Sequence, residues 1–153
     1  MTDTTQTTKR KMDVAVKLSI LWMVVMFNMI YADILAFISA FITPGVIDEL
    51  MNGYSGRVKL SQELLLISAF FIEIPIMMIF LSRILKHQVN RWANIIAGML
   101  TLLFVVGGIE TEPFFLFLAG IEVLVIMVII WTAFKWKSPV SAPIAITSGA
   151  TQT

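Results

Sequence analysis

The sequence has no cysteine, which removes disulfide exchange, thiolate nucleophiles and cysteine-bound metal from consideration. It has a single histidine, His87, and no Glu-x-x-His pair. A carboxylate-bridged metal centre inside a helix bundle therefore lacks its nitrogen ligands. No phosphate-cradling loop occurs: Gly107 and Gly108, and Gly53 to Gly56, lack the Lys-Ser/Thr that would follow. No cofactor and no metal are expected. Charge is also scarce, at 14% of residues, whereas soluble domains carry about a quarter. Nothing points to nucleic acid.

What the chain has instead is apolar length. Of its 153 residues 58% are hydrophobic, and the mean hydropathy is +0.89. With about 20 residues for each bilayer crossing, this length holds four spans and short connections, leaving no room for a soluble domain. The expected fold is an all-α membrane protein, a bundle of four transmembrane helices. Spans are expected at about 17–42, 60–85, 92–108 and 113–136 within a transmembrane domain at 17–137. Disordered polar tails are expected at 1–16 and 138–153. The first apolar run is too long and too polar inside for a cleaved signal peptide. The connection 43–59 is rich in turn formers around a short interfacial helix at Val46 to Met51, and Lys86 to Arg91 reads as a short basic turn. Pro113 suits the first turn of the last helix.

Orientation follows from the cations. Lys9, Arg10, Lys11, Lys17, Arg83, Lys86, Arg91, Lys135 and Lys137 fall on one side, and only Arg57 and Lys59 on the other. The formal charge is +1, and setting aside Asp33, Glu73 and Glu122 inside apolar runs leaves about +4. The positive-inside rule then places both termini in the cytoplasm and the protein in the inner or plasma membrane. Trp22, Trp92, Trp131 and Trp136 lie towards the same boundary, where interfacial anchors are expected.

The candidate functional residues are the polar ones at depth: Glu73, Glu122, Asn28, Asp33 and Asn94. At about 1.5 Å of rise per residue, Asn28 lies roughly 16 Å from Lys17, Glu73 roughly 15 Å from Arg83, and Glu122 roughly 20 Å from Lys135. All three fall near mid-membrane, and Asp33 lies closer to the outer interface. A carboxylate at that depth costs roughly 2.5–3.5 kcal/mol on insertion scales, so it is expected to be protonated, paired or turned to water or the bundle interior. Pro75 frees a carbonyl beside Glu73 and kinks the helix. By three-and-four spacing Glu73 shares a face with Leu66, Phe70, Met77 and Phe80, and Glu122 with Phe115, Ala119, Ile126 and Ile129. Asn94, Ala97, Gly98 and Thr101 make a small-residue stripe that admits a neighbouring helix, within the chain or from a second copy.

Several stretches resemble a family of small bacterial membrane proteins of unknown function: LWMVVMFNMIYADIL at 21–35, MNGYSG at 51–56, EIPIMMIFLSRILK at 73–86, NRWANIIAG at 90–98 and IEV at 121–123. The resemblance implies a four-helix membrane protein and brings no activity. It places Asn28, Asp33, Glu73, Arg83, Asn90, Arg91, Asn94 and Glu122 within the family's patterns.

Three readings of the acids stand side by side. In the first the chain is a transport-like or ligand-binding membrane protein, with Glu73 and Glu122 exchanging protons in a cavity between the second and fourth spans, and with dimerisation needed for alternating access. In the second it is a membrane enzyme on a lipid or isoprenoid, one glutamate acting as acid and the other as base. In the third it is a non-catalytic assembly partner whose polar groups only hold helices together. Membrane lipids, a second copy of the chain and a small molecule or ion of undefined identity are the expected partners.

Overall fold

The computed structural model describes residues 12–56, 58–108 and 112–137. Residues 1–11 of the first expected tail, the whole of the second, 138–153, and Arg57 lie outside them, while residues 14–16, expected in the first tail, belong to the first helix. Four long helices carry the chain: α1 (Val14–Ile42), α3 (Gln62–Ile84), α4 (His87–Gly107) and α5 (Pro113–Lys135). Between the first two lie α2 (Val46–Met51) and the strands β1 (Tyr54–Ser55) and β2 (Val58–Lys59). All four long helices are long and apolar enough to cross a membrane. The 23 residues of α3 and of α5 rise about 35 Å, against a hydrocarbon core of about 30 Å.

Each boundary has a local cause. The carboxylate of Asp13 accepts the Ala15 amide at 3.3 Å, starting α1 three residues before Lys17. Thr43 and Pro44 end it, and Gly45 takes the left-handed conformation, φ 85°, that begins α2. Ser61 accepts the Leu64 amide at 3.2 Å to cap α3. Pro113 occupies the first turn of α5. The two short strands pair antiparallel, Tyr54 opposite Lys59 and Ser55 opposite Val58. This is a small hairpin within the turn-rich connection 43–59.

The expected basic turn at Lys86 to Arg91 is instead mostly helix. Lys86 is the extended residue before α4, and the helix begins at His87, five residues ahead of Trp92. Nothing in His87–Arg91 breaks a helix, and continuing it buries Asn90, whose amide donates to the Ser82 carbonyl at 2.6 Å. The chain between α3 and α4 thus turns in two residues, Leu85 and Lys86.

Around the bundle, α1 packs on α3 and α5, and α4 packs on the same two helices from the opposite corner. The up-down order gathers Lys17, Arg83, Lys86, Arg91, Lys135 and Lys137 at one end, the basic end, and leaves α2 and the hairpin at the other. Aromatic contacts tie α4 to α5 at the basic end. The His87 ring lies edge-on to Trp136 at 4.7 Å, and the Arg91 guanidinium lies over Phe134 at 5.6 Å. There too the Lys135 ammonium covers the exposed Trp131 ring at 4.3 Å.

The burial pattern inverts that of a water-soluble protein. Phe37, Phe41, Leu66, Phe70, Leu103 and Phe117 are exposed, whereas Ser19, Ser82, Asn90, Asn94, Thr101 and Glu122 are buried. Large apolar side chains facing out and polar ones facing in are what an apolar solvent selects, because lipid solvates leucine as well as a core does and solvates amides poorly. The four apolar helices and this inversion together make the chain a membrane helix bundle.

Candidate functional site

Two polar layers occupy the interior, and they differ in one respect: the first is satisfied and the second is not. The first lies in the basic half. The Asn94 side-chain oxygen accepts from the Trp22 indole N–H at 2.7 Å and from the Ser82 hydroxyl at 3.1 Å. Its amide nitrogen donates to the Asn90 backbone carbonyl at 2.9 Å and to the Asn90 side-chain oxygen at 2.7 Å. The four residues come from α1, α3 and α4, and all are buried. Nearby, the Ser19 hydroxyl donates to the Ile79 carbonyl at 2.7 Å, a direct link from α1 to α3. Asn94, a candidate for ligand binding from sequence, uses its polar capacity on helix contacts. Trp22, expected at the interface as an anchor, is fully buried at the bundle centre. The indole N–H needs a partner once buried, and Asn94 supplies it across the bundle diagonal.

The second layer lies one to three turns nearer the hairpin end. Asn28 on α1 donates through its amide nitrogen to the Leu118 carbonyl at 2.8 Å and to Oε2 of Glu122 at 3.3 Å, both on α5. Glu122 is only 4% exposed, and its Oε1 has no hydrogen-bonding partner among the described residues. The inner face predicted for it holds, since Ala119, Ile126 and Ile129 are buried beside it. Glu122 stands in the wall of a cavity of about 320 Å³ between α1, α3, α4 and α5. Asp33, one and a half turns after Asn28, lines the same cavity from a more exposed position. Ser68 adds a hydroxyl, and Met29, Ile72, Phe104 and Phe115 supply apolar wall.

Small side chains on the surrounding helices make this room. Ala32 and Ala36 on α1, Ala119 on α5 and Gly108 at the end of α4 all face the cavity. In the basic half the opposite holds. There Gly98 lets α4 approach α5 so closely that a Cβ on it would stand 2.8 Å from Cγ1 of Ile130. The bundle is therefore tight beside the paired Asn94 layer and open beside Glu122.

Glu73 does not join this layer. It is exposed on α3, and so are Leu66, Phe70, Met77 and Phe80, the residues that share its face. The physical reason is helical phase. Pro75, Met78 and Ser82 are the buried residues of α3, and two residues of α-helix rotate by about 200°, so a buried Pro75 turns Glu73 outward. The expected cavity shared by Glu73 and Glu122 is replaced by one in which Glu122 meets Asp33 and Asn28. Because Glu73 holds nothing inside, Glu73→Leu is expected to leave unfolding in detergent within about 0.5 kcal/mol of the wild type. Titration with a denaturing detergent followed by circular dichroism checks this; a loss of several kcal/mol would show an internal role.

Asn90, Ser82 and Trp22 were not among the candidate residues. The signal for Asn90 was present in its four-residue spacing from Asn94, which puts two amides on the face that also carries Ala97, Gly98 and Thr101. Trp22 and Ser82 carried no comparable signal, because their roles depend on which helices become neighbours. No group of three or more histidine, aspartate or glutamate side chains able to hold a metal ion occurs among the described residues.

Comparison with known proteins adds one match. A family model described as a family of unknown function, DUF6326, matches residues 7–142. No curated protein and no solved structure matches the chain.

Proposed function

We propose, from the premise that the chain belongs to the DUF6326 family of unknown function, that it is a transport-like, ligand-binding membrane protein whose working site is the Glu122 cavity. One observation carries this reading: a carboxyl that is almost wholly buried, bonded through one oxygen to Asn28 and unpartnered at the other, stands in the wall of an apolar cavity that holds a second carboxyl. Polar groups that serve only as helix contacts tend to be fully satisfied, as Asn94 is. An intramembrane acid left half-satisfied beside open space is instead placed to exchange a proton or to meet a ligand. Asp33, at the exposed side, connects that position to the hairpin end of the bundle. Of the two glutamates that sequence marks as proton-exchanging, Glu122 carries this role here and Glu73, outside the cavity, does not.

The cavity favours binding over acid-base catalysis. Its walls offer two carboxyls, one hydroxyl and apolar surface. An acid-base pair needs two groups held at a common reacting atom, and of this pair only Glu122 is fixed by a hydrogen bond to a neighbouring helix.

Labelling with dicyclohexylcarbodiimide in native membranes, read residue by residue by mass spectrometry, tests the reading. The reagent enters through lipid and modifies protonated carboxyls. Glu73, exposed on α3, is the internal control. Glu122 is expected to be labelled as well, with labelling that falls as the pH is raised. Folded protein in which Glu73 reacts and Glu122 stays unmodified at every pH would make Glu122 an occluded helix contact and end the proposal.

A further inference from the structure

We infer that the ligand of this cavity is a lipophilic organic cation: a single ammonium group on a small apolar or aromatic body. The inference rests on the reading of the Glu122 cavity as a binding site and adds the chemistry of what binds.

The charge balance of the cavity comes first. Glu122 and Asp33 both stand in its wall, and among the described residues no lysine, arginine or histidine lines it. Of the described cations, Lys17, Arg83, Lys86, Arg91, Lys135 and Lys137 are gathered at the basic end, beyond the closed Trp22–Asn94 layer, and Lys59, on β2, is not part of the cavity wall. Asn28 can donate to Glu122 but cannot neutralise it. Inside the cavity, counter-charge for either carboxyl has to come from a proton or from what enters. A cation is the class of ligand whose charge the two carboxyls favour and an anion-binding site would repel.

Shape and wall chemistry narrow the class further. Apart from the two acids and Ser68, the wall is apolar, so a strongly hydrated metal ion would lose its water without a ring of oxygen ligands to replace it. An organic ammonium keeps its charge on a body that the wall solvates. Two aromatic rings, Phe104 and Phe115, line the cavity, and ring faces attract ammonium groups. Phe104 is held in place by stacking on Phe71 of α3, with centroids 5.4 Å apart and planes 8° from parallel. The volume, about 320 Å³, lies at the lower end of small-molecule sites, which run from about 300 to 1,000 Å³. It suits one compact ligand and is too small for a two-chain lipid.

Recognition then has a simple geometry. The apolar body lies among Met29, Ile72, Phe104 and Phe115, and the ammonium approaches Glu122, the deep acid that has an unpartnered oxygen. Asp33 attracts the cation at the exposed side and hands it inward.

A pair of isosteric probes tests this with purified full-length protein in lipid nanodiscs. Benzyltrimethylammonium and neopentylbenzene have the same shape and differ in charge. The cation is expected to bind saturably, at least about tenfold more tightly than the neutral isostere, and to slow carbodiimide labelling of Glu122. Glu122→Gln is expected to weaken cation binding by about tenfold or more, Asp33→Asn by less, and Glu73→Gln not at all. Should Glu122→Gln fold poorly, the Asp33→Asn variant and the comparison of the two probes on wild-type protein still decide the matter. Equal binding of both probes, or Glu122 that labels normally while the cation neither binds nor protects, overturns the cation and leaves the binding site standing. Glu122 that never labels and binds neither probe overturns both.

Discussion

Asn94→Leu is expected to destabilise the bundle by about 2–5 kcal/mol, more than any other single replacement considered. The residue accepts from Trp22 and Ser82 and donates twice to Asn90. Leucine keeps the branched four-atom shape of the side chain and supplies none of these bonds. It strands the Trp22 N–H and the Asn90 side-chain oxygen in a dry interior. Hydrogen bonds between membrane helices average about 0.6 kcal/mol and reach about 1.7, while a stranded buried group costs about 1–3 kcal/mol. Several bonds lost together set the range, and relaxation of the Ser82 hydroxyl towards a helix carbonyl keeps it from being larger. Equilibrium unfolding in a denaturing detergent, followed by circular dichroism, measures it. A double-mutant cycle with Trp22→Phe isolates the indole bond, for which a coupling near 1 kcal/mol is expected. Unfolding of Asn94→Leu at the wild-type midpoint would mean that the layer does not hold the helices.

The second large effect is expected at Gly98. A Cβ there meets Cγ1 of Ile130 at 2.8 Å and Cδ1 at 3.2 Å, with Cγ2 of Ile126 at 3.7 Å behind them. Overpacking of this kind costs about 1–3 kcal/mol. For Gly98→Ala the better helix propensity of alanine, worth about 1 kcal/mol in water, offsets much of that, so only a small net loss is expected. Gly98→Val adds two further carbons to the same contact and brings no such compensation. Its loss is expected at the upper end of the range. Ile130→Ala in the Gly98→Val background is expected to restore about half of the loss, by opening room where the valine presses. The same unfolding titration reads all three proteins. If Gly98→Val proves as stable as the wild type, the close approach of α4 and α5 is not what holds the closed half of the bundle.

The two predictions bear on the cavity through geometry. The Asn94 layer and the Gly98 contact both close the basic half, and the cavity lies in the other half, where the small residues Ala32, Ala36, Ala119 and Gly108 leave space unfilled. Loosening the closed half is therefore expected to alter the shape of the Glu122 site without touching its residues.

Much of the architecture was legible in the residues. Four apolar runs of bilayer length, separated by glycine, proline and charge, suffice to place four helices, because hydrocarbon leaves backbone amides no partner but their own helix. The short helix Val46–Met51 begins after a glycine and ends before Asn52, and its bounds follow from those two residues. The inner face of α5 was legible too, since Ala119 and Glu122 are the residues least suited to lipid on an otherwise uniform helix. On α4 the stripe of Asn90, Asn94, Ala97, Gly98 and Thr101 marks the buried side directly.

On α3 the same reasoning could not tell in from out. Every face of that helix is apolar, so hydrophobic periodicity, which separates core from water, has no contrast to report between core and lipid. Glu73 and Pro75 compete for the inner position, and being about 200° apart they cannot both hold it. Packing resolved the choice: Pro75, Met78 and Ser82 face α1 and α4, where the Ser82 hydroxyl meets Asn94, and Glu73 is carried outward. Length and composition alone determined that this protein is a four-helix membrane bundle. Which carboxyl faces the interior, and with which partners, was decided only by the neighbours that each helix acquired, because a hydrogen bond between helices depends on depth and phase together and single-helix patterns contain neither for the partner.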